Sequence, residues 1–186
     1  MRISPANRRR RSSVKYFNGF SLRGEERLFS AYLGESDFTV AGFSYGGQLA
    51  FEAAYHSDHR VEKLILLSPA FFQTEKKSFV RAQLRYFEQD KKSYIQQFMN
   101  NVAYPATLDL SPYLDEGSSE ALEALLAYQW DSEKIGEVLA RGTQIEVYLG
   151  GRDKIIKSEE AFTFFSALTT TYLIKDVGHL LMKNEE

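Results

Sequence analysis

Ser44, Asp153 and His179 are the three side chains whose types and order could perform nucleophilic catalysis. Ser44 is the centre of a G-x-S-x-G pattern, "GFSYG", between the apolar run "FTVAGF" and the helix-forming "QLAFEAAY". This context is typical of a strand-to-helix turn that holds a serine nucleophile in a strained conformation, with Gly42 and Gly46 leaving room where strand and helix approach. The pattern alone is common, so the prediction depends on the rest of the chain.

An acid and a base follow later apolar segments. Asp153 comes directly after "VYLGG", and His179 lies just past the final segment, in "KDVGHLLM". A carboxylate can orient a histidine that then acts as general base. Taken alone, Asp153 could be a surface turn residue, and a lone histidine is more often a structural residue. Asp176 is the alternative acid, but it shares a loop with His179, so Asp153 is favoured. The other two histidines, in "YHSDHR", are expected on the surface.

A third element is the segment "YFNGFSL", which predicts a strand followed by a turn at Asn18 and Gly19. Such a turn can expose a backbone N–H to a developing negative charge. The expected donors of this oxyanion hole are the N–H groups of Phe20 and of Tyr45, the residue after the candidate nucleophile. An ordinary turn is the alternative interpretation.

These residues require a sheet that brings strand ends together. Short segments rich in β-branched and aromatic residues predict five strands, at 14–17, 38–43, 61–69, 144–150 and 170–177, and helical patterns lie between them at 25–33, 47–57 and 158–168. The alternation favours an α/β fold with a mainly parallel sheet. Residues 71–141 carry only helical patterns and are expected to form a cap over the active edge.

Composition narrows the class of protein. A chain of 186 residues with 44% hydrophobic content suits one domain, expected over 14–186, and a net charge of -2 gives no general attraction to nucleic acid or anionic membrane. The absence of cysteine excludes disulfides and thiolate metal sites, and no apolar window is long enough to span a membrane. The arginine run in residues 1–13 is interpreted as a disordered basic tail, with nucleic-acid binding as the alternative. A soluble cytoplasmic protein is expected.

The "GFSYGG" turn, the "GGRD" and "GH" pair and the "YFNGFSL" segment together resemble the α/β-hydrolases. With "LSPA" and the Lys/Arg-rich start of the cap, they resemble more narrowly the compact pimeloyl-acyl-carrier-protein methyl ester esterases of biotin synthesis, of the BioV type. Two departures from most α/β-hydrolases are noted. Asn18 stands where a histidine usually precedes the glycine of the oxyanion turn, and most members have two more strands upstream and another strand and helix before the serine turn. The resemblance implies a catalytic triad of Ser44, Asp153 and His179 and no metal or cofactor.

The resemblance also implies a partner. Lys77, Arg81 and Arg85 recur every four residues in the cap, so they share one helix face. A solvated surface is the usual meaning of such a basic stripe, but an acidic acyl carrier protein would be steered by it, and the family favours docking. Phe71, Phe72, Phe79, Phe87 and Phe98 are either core residues or lining for an acyl tunnel. A general esterase, lipase or thioesterase and a non-catalytic binding protein are the alternatives.

Overall fold

A single five-stranded sheet organises residues 14–183, the part of the chain that the computed structural model describes. The strands are β1 (Lys15–Phe17), β2 (Thr39–Phe43), β3 (Lys63–Leu67), β4 (Gln144–Gly150) and β5 (Thr170–Ile174). Every neighbouring pair is parallel, and the spatial order is β1-β2-β3-β4-β5. The predicted α/β fold with five parallel strands is confirmed. The predicted basic tail lies outside the described residues.

The apolar segments become the centre of this sheet. All five residues of β2 are buried, and so are the last four of β3, as expected for parallel strands that are covered on both faces. The edge strands β1 and β5 have no fully buried residue. Because the strands are parallel, their carboxyl ends meet at one edge, where ligands of open α/β sheets usually bind. The segments after β2, β3 and β4 therefore start close together.

Each pair of neighbouring parallel strands must be joined by a crossover connection, and helices form these connections. The seven α-helices of residues 14–183 are α1 (Ser30–Leu33), α2 (Tyr45–Tyr55), α3 (Lys77–Gln89), α4 (Lys91–Ala103), α5 (Ser119–Ala127), α6 (Ser132–Ala140) and α7 (Ser158–Ser166). The region predicted as one helix over 25–33 is divided into a 3-10 turn, Glu25–Phe29, and the short α1. Gly24 precedes the 3-10 turn with φ of 75°, and no side-chain hydrogen bond caps the start of the turn. The first turn of this region is accordingly the tighter 3-10 form.

The long interval between β3 and β4 holds α3 to α6. Helix α3 packs against α4 and α5, whereas α6 packs against α2. Side chains of Asp90, Ser118 and Asp131 accept backbone N–H groups at the starts of α4, α5 and α6, which stabilises these helix ends. A second 3-10 turn, Ser111–Tyr113, lies in the linker between α4 and α5, residues 104–118.

Two of the contacts that attach this helical insertion to the rest of the molecule involve α2 and the chain just after β1. The side-chain Nε2 of Gln48, in α2, donates to the carbonyl oxygens of Ala70 (3.1 Å) and Leu125 (3.0 Å). The linker forms an antiparallel bridge, in which Leu114 pairs with Leu22. Helix α5 is thereby held to α2, and the linker is held to the chain just after β1.

Candidate active site

Ser44 lies in the turn between β2 and α2, in a conformation that is rare for a residue with a side chain. Its φ of 54° and ψ of -116° are strained, and backbone strain of this kind concentrates at functional sites. The N–H of Ser44 donates to the carbonyl oxygen of Leu67 at 2.9 Å, and the Ser44 carbonyl oxygen accepts the N–H of Gly47 at 2.9 Å. The turn is therefore fixed to the end of β3 on one side and closed by α2 on the other.

The two glycines of the G-x-S-x-G pattern are required by packing. A Cβ atom on Gly42 would overlap the carbonyl oxygen of Gly46, and one on Gly46 would overlap the carbonyl oxygen of Phe17 in β1. Real Cβ atoms do not approach backbone atoms this closely, and relief would require the strand and helix to separate. The glycines thus let α2 start directly against β1 and β2, which fixes where Ser44 projects.

His179 and Asp153 form a buried hydrogen-bonded pair. Nδ1 of His179 is 2.6 Å from Oδ2 of Asp153, and both side chains are fully excluded from solvent. Oδ1 of the same carboxylate accepts the N–H groups of Ile155 (2.6 Å) and Ile156 (3.0 Å). Because a carboxylate only accepts, Nδ1 donates in this pair, and in the neutral form of the ring Nε2 is then an acceptor. The alternative acid, Asp176, is exposed.

Four buried side-chain atoms of residues 14–183 have no hydrogen-bond partner: Glu25 Oε2, Ser44 Oγ, Gln48 Oε1 and His179 Nε2. An unpaired buried polar atom usually costs about 1–3 kcal/mol, so each such atom calls for an explanation. Two of the four are the atoms that a nucleophile and its general base would use. Catalytic hydrogen bonds are often long or poorly aligned before substrate binds, and the geometry leaves both atoms uncommitted.

Ser44 and His179 are positioned from the same strand end. Ser44 is bonded to Leu67, the last residue of β3, and the hydroxyl of the next residue, Ser68, donates to the carbonyl oxygen of His179 at 2.7 Å. The ring of Phe43 lies 5.0 Å from the His179 ring, centroid to centroid. Ser68 is fully buried with φ of 41°. Sequence reasoning missed its role, although a serine directly after a buried strand was visible in "LILLSPA".

The two remaining histidines lie apart from this pair. His56 follows the last residue of α2, and its side chain is 69% exposed, with Nε2 3.2 Å from the carboxylate of Glu52. His59 is also exposed, and its backbone is bonded to Ser57 in a surface turn.

The two predicted oxyanion donors lie in the turn after β1, which contains Phe20, and at the start of α2, which begins at Tyr45. Gly19 accepts the N–H of Leu22 at 3.2 Å, and Asn18 Oδ1 accepts the N–H of Gly24 at 3.1 Å. Across residues 14–183, the N–H groups of Phe20 and Tyr45 are bonded to no protein acceptor. Tyr45 is the first residue of α2, where N–H groups have no partner within the helix and attract negative charge. Both groups are available to an anion.

A cavity of about 350 Å³ lies between α3, α4, α5 and the loop that carries Asp153. Its apolar walls include Phe72, Phe79, Phe98, Leu122, Leu125 and Leu126. Three of the five phenylalanines singled out from the sequence thus line a cavity, whereas Phe71 and Phe87 are buried in the core. Phe98 also packs edge-on against the ring of Phe20, 5.6 Å between centroids, which connects the cavity wall to the oxyanion turn.

Lys77, Arg81 and Arg85 are all exposed on α3. No ion pair within residues 14–183 involves them, and the guanidinium of Arg85 lies 5.5 Å from the ring centroid of its neighbour Tyr86. These three side chains therefore present uncompensated positive charge to solvent. We call them the basic stripe.

The fold matches that of known enzymes. A family model described as "alpha/beta hydrolase fold" matches residues 26–111. Carboxylesterase CesB from Bacillus subtilis superimposes with a TM-score of 0.59 over 95% of this chain and 80% of its own, at 16% identity. Naproxen esterase from the same species gives 0.60 over 90% and 77%, at 14% identity. MenH from S. aureus gives 0.55 over 95% and 89%, also at 14% identity.

At these identities the likeness concerns the fold, and the chain has the α/β-hydrolase fold. A search of curated proteins found no match. Within residues 14–183, no helix combines the length and apolar character needed to span a bilayer. The same residues contain no group of three acidic or histidine side chains arranged to hold a metal ion.

Proposed function

We propose that this chain is a serine carboxylesterase in which Ser44 is the nucleophile, His179 the general base and Asp153 the residue that orients the imidazole. The observation that carries the proposal is the buried 2.6 Å contact between His179 and Asp153, which leaves Nε2 without a partner while Ser44 is strained at the end of β2. Buried polar atoms usually have a hydrogen-bond partner, so the unbonded Nε2 supports a role for His179 in proton transfer.

The proposed reaction runs in two halves. Ser44 Oγ attacks the ester carbonyl carbon as its proton moves to His179 Nε2, and the carbonyl oxygen becomes an oxyanion. The C–O bond to the alcohol then breaks, and His179 returns the proton to the departing alkoxide. Water repeats the sequence on the acyl-serine ester, which releases the carboxylic acid and restores Ser44.

Two features of the site lower the barrier in this scheme. The N–H groups of Phe20 and Tyr45 are free to bond the oxyanion, and each such donor is typically worth about 2.7–4 kcal/mol in the transition state. Asp153, held by two backbone N–H groups, remains an anion beside the imidazolium that forms. Its charge stabilises that cation without taking the proton.

For the substrate, we propose the methyl ester of pimeloyl-acyl carrier protein, hydrolysed in the cytoplasm during biotin synthesis. The apolar cavity beside the Asp153 loop supports a chain-like acyl group, since its volume lies in the range of small-molecule sites. The basic stripe on the adjoining helix α3 supports an acidic carrier, because opposite charge steers and orients association. Methanol is the small leaving group.

The first experiment is mass spectrometry of pimeloyl methyl ester on acyl carrier protein after incubation with wild type or Ser44→Ala. Loss of the methyl group with the wild type alone supports nucleophile, reaction and partner together. Cleavage of a simple aryl ester with the carrier-bound ester left intact would retain the esterase and overturn the biotin assignment. Failure of folded protein to react with a fluorophosphonate would favour a non-catalytic binding protein instead.

Carrier docking has its own test. The double charge reversal Arg81→Glu/Arg85→Glu should reduce kcat/KM for the carrier-bound ester and spare aryl ester hydrolysis. The control is Lys15→Glu/Arg60→Glu, since these exposed basic residues lie at the opposite edge of the sheet, at the start of β1 and just before β3. Equal loss of both activities in the α3 variant, or equal effects of the two pairs, would refute docking at the basic stripe.

A further inference from the structure

Glu25 is a fully buried acidic residue beside the oxyanion turn, and no catalytic step above uses it. Its Oε1 accepts the N–H of Gly19 at 2.7 Å and the hydroxyl of Tyr16 at 3.2 Å, while Oε2 has no partner. Burial raises the pKa of the Glu25 carboxyl, and burial together with the Glu25 charge raises the pKa of Tyr16. An acid is costly at such a position unless its oxygen is needed there.

Packing requires a glycine at position 19, and that glycine also makes the backbone of the turn flexible. A Cβ atom on Gly19 would lie 2.8 Å from the ring of Phe43, the residue before the nucleophile, so packing demands glycine. Glycine, however, permits backbone conformations that other residues resist, and the peptides on either side of it rotate easily. Packing against Phe43 thus comes with a turn that has little conformational preference of its own.

Two hydrogen bonds remove that freedom, one for each peptide next to Gly19. The carbonyl oxygen of Gly19 accepts the N–H of Leu22, which orients the peptide whose other end is the N–H of Phe20. The preceding peptide, whose N–H belongs to Gly19, is held by Glu25 alone among residues 14–183. Rotation of that peptide would shift Gly19 and, with it, the Phe20 donor. Glu25 therefore controls the half of the turn that Leu22 does not.

We propose that Glu25 is a positioning residue for catalysis, whose Oε1 holds the N–H of Gly19 and so keeps the N–H of Phe20 directed at the oxyanion. The inference rests on the proposed ester hydrolysis for its kinetic consequence, but the restraint itself is a property of the turn. It assigns a role to a residue whose signal in the sequence was only a glutamate after "RG" at the start of a helical pattern.

Three substitutions distinguish the effect of the hydrogen-bond acceptor of Glu25 from the effects of its charge and its volume. Glu25→Gln keeps an oxygen within reach of Gly19 and removes the charge, Glu25→Met fills the space without an acceptor, and Glu25→Asp keeps the charge but withdraws the oxygen. Tyr16→Phe is the matched control, because it removes the other partner of Oε1 and leaves the Gly19 bond in place.

Each variant is characterised by two measurements: the kinetics of aryl ester hydrolysis and the rate at which a fluorophosphonate labels Ser44. Since removal of one oxyanion donor lowers kcat by about 100- to 1,000-fold, a misdirected donor in the Met and Asp variants should lower kcat by about 10- to 100-fold, with KM almost unchanged. The labelling rate should fall in parallel. Glu25→Gln and Tyr16→Phe should stay within about threefold of wild type, because both retain the bond to Gly19.

Several results would overturn the proposal. Equal impairment of the Gln and Met variants would mean that charge matters and the acceptor does not, and a change confined to KM would point to substrate binding. If Glu25→Met fails to fold, the comparison of Asp with Gln decides. Amide hydrogen exchange at Gly19 tests the restraint without any substrate: it should be faster in the Met and Asp variants, and unchanged rates would refute it. Wild type that neither hydrolyses esters nor reacts with the probe would overturn the proposed function, while the exchange rates still decide the role of Glu25.

Discussion

Ser68 Oγ donates to the carbonyl oxygen of His179 at 2.7 Å, across a sequence separation of 111 residues. The bond ties the loop that follows β5 to the residue that follows β3, and the same strand end holds the N–H of Ser44 through Leu67. One strand terminus thereby sets the positions of both the candidate nucleophile and the candidate base. The relative placement of two groups from distant parts of the chain depends on a short piece of rigid structure.

Ser68→Ala should therefore destabilise the fold by about 1–3 kcal/mol, because the buried carbonyl oxygen of His179 loses its side-chain donor. Ser57→Ala is the matched control, since Ser57 Oγ also donates to a histidine carbonyl, that of His59, but on the exposed surface. Urea unfolding would compare the two. Equal losses of unfolding free energy in the two variants would show that the buried Ser68 hydrogen bond contributes no more than the exposed Ser57 one.

Asp153→Asn should lower kcat by roughly 10⁴-fold with little change in KM, because an amide does not fix the imidazole tautomer or stabilise its cation. Asp176→Asn, the exposed acid on the same loop as the histidine, should retain wild-type kcat. Steady-state kinetics on an aryl ester would measure both, with circular dichroism to verify folding. Loss of activity in the Asp176 variant alone would assign the acid to that residue.

Gly46→Ala should destabilise the protein by more than about 4 kcal/mol, because the new Cβ would overlap the carbonyl oxygen of Phe17 in the adjacent strand. Gly136→Ala should have the opposite sign and stabilise by about 0.5–1 kcal/mol, since Gly136 is an exposed residue inside α6 with open space around it. Thermal unfolding would record both shifts. A tolerated Gly46→Ala would contradict the close approach of α2 to β1.

The stability of Glu25→Gln relative to wild type should depend on pH. Burial raises the pKa of Glu25 in the folded state, so the folded protein binds a proton more tightly than the unfolded chain. Wild-type stability should consequently fall as pH rises from 4.5, the ordinary value, through the raised pKa, whereas glutamine does not titrate.

Urea unfolding across this range should show the Gln variant gaining stability relative to wild type up to the folded-state pKa, and a constant difference above it. Parallel curves for the two proteins at every pH would contradict a raised pKa for Glu25.

The strands and their order along the chain were predictable, because central parallel strands are continuous apolar runs and the helical patterns between them leave few topologies. The approach of His179 to Asp153 was predictable for a related reason: both follow strands that pair as neighbours. The start of α2 was predicted two residues late, since glycine at 46 and 47 hides a helix that packing imposes. Similarly, Gly24 and the missing cap hid the 3-10 turn at 25–29.

Glu25 and Ser68 could not be found in the same way. Their roles depend on backbone atoms of residues that share no periodic pattern with them, the N–H of Gly19 and the carbonyl oxygen of His179. A buried acid looks identical to a surface acid in the sequence, and here it opens a segment rich in charge, "RGEER". Only the fold reveals that one of these charges is removed from water.

The bridge between Leu22 and Leu114 bears on how this protein could be engineered. Beside it, Arg23 N–H donates to the Tyr113 carbonyl oxygen at 2.7 Å, Asp115 N–H donates to that of Ser21 at 3.0 Å, and Gly117 N–H donates to Ser21 Oγ at 3.0 Å. The helical insertion is therefore not an interchangeable module. A chimera that grafts a foreign insertion between β3 and β4 would have to reproduce these hydrogen bonds. Otherwise the turn that begins at Asn18 would lose its contacts with the insertion.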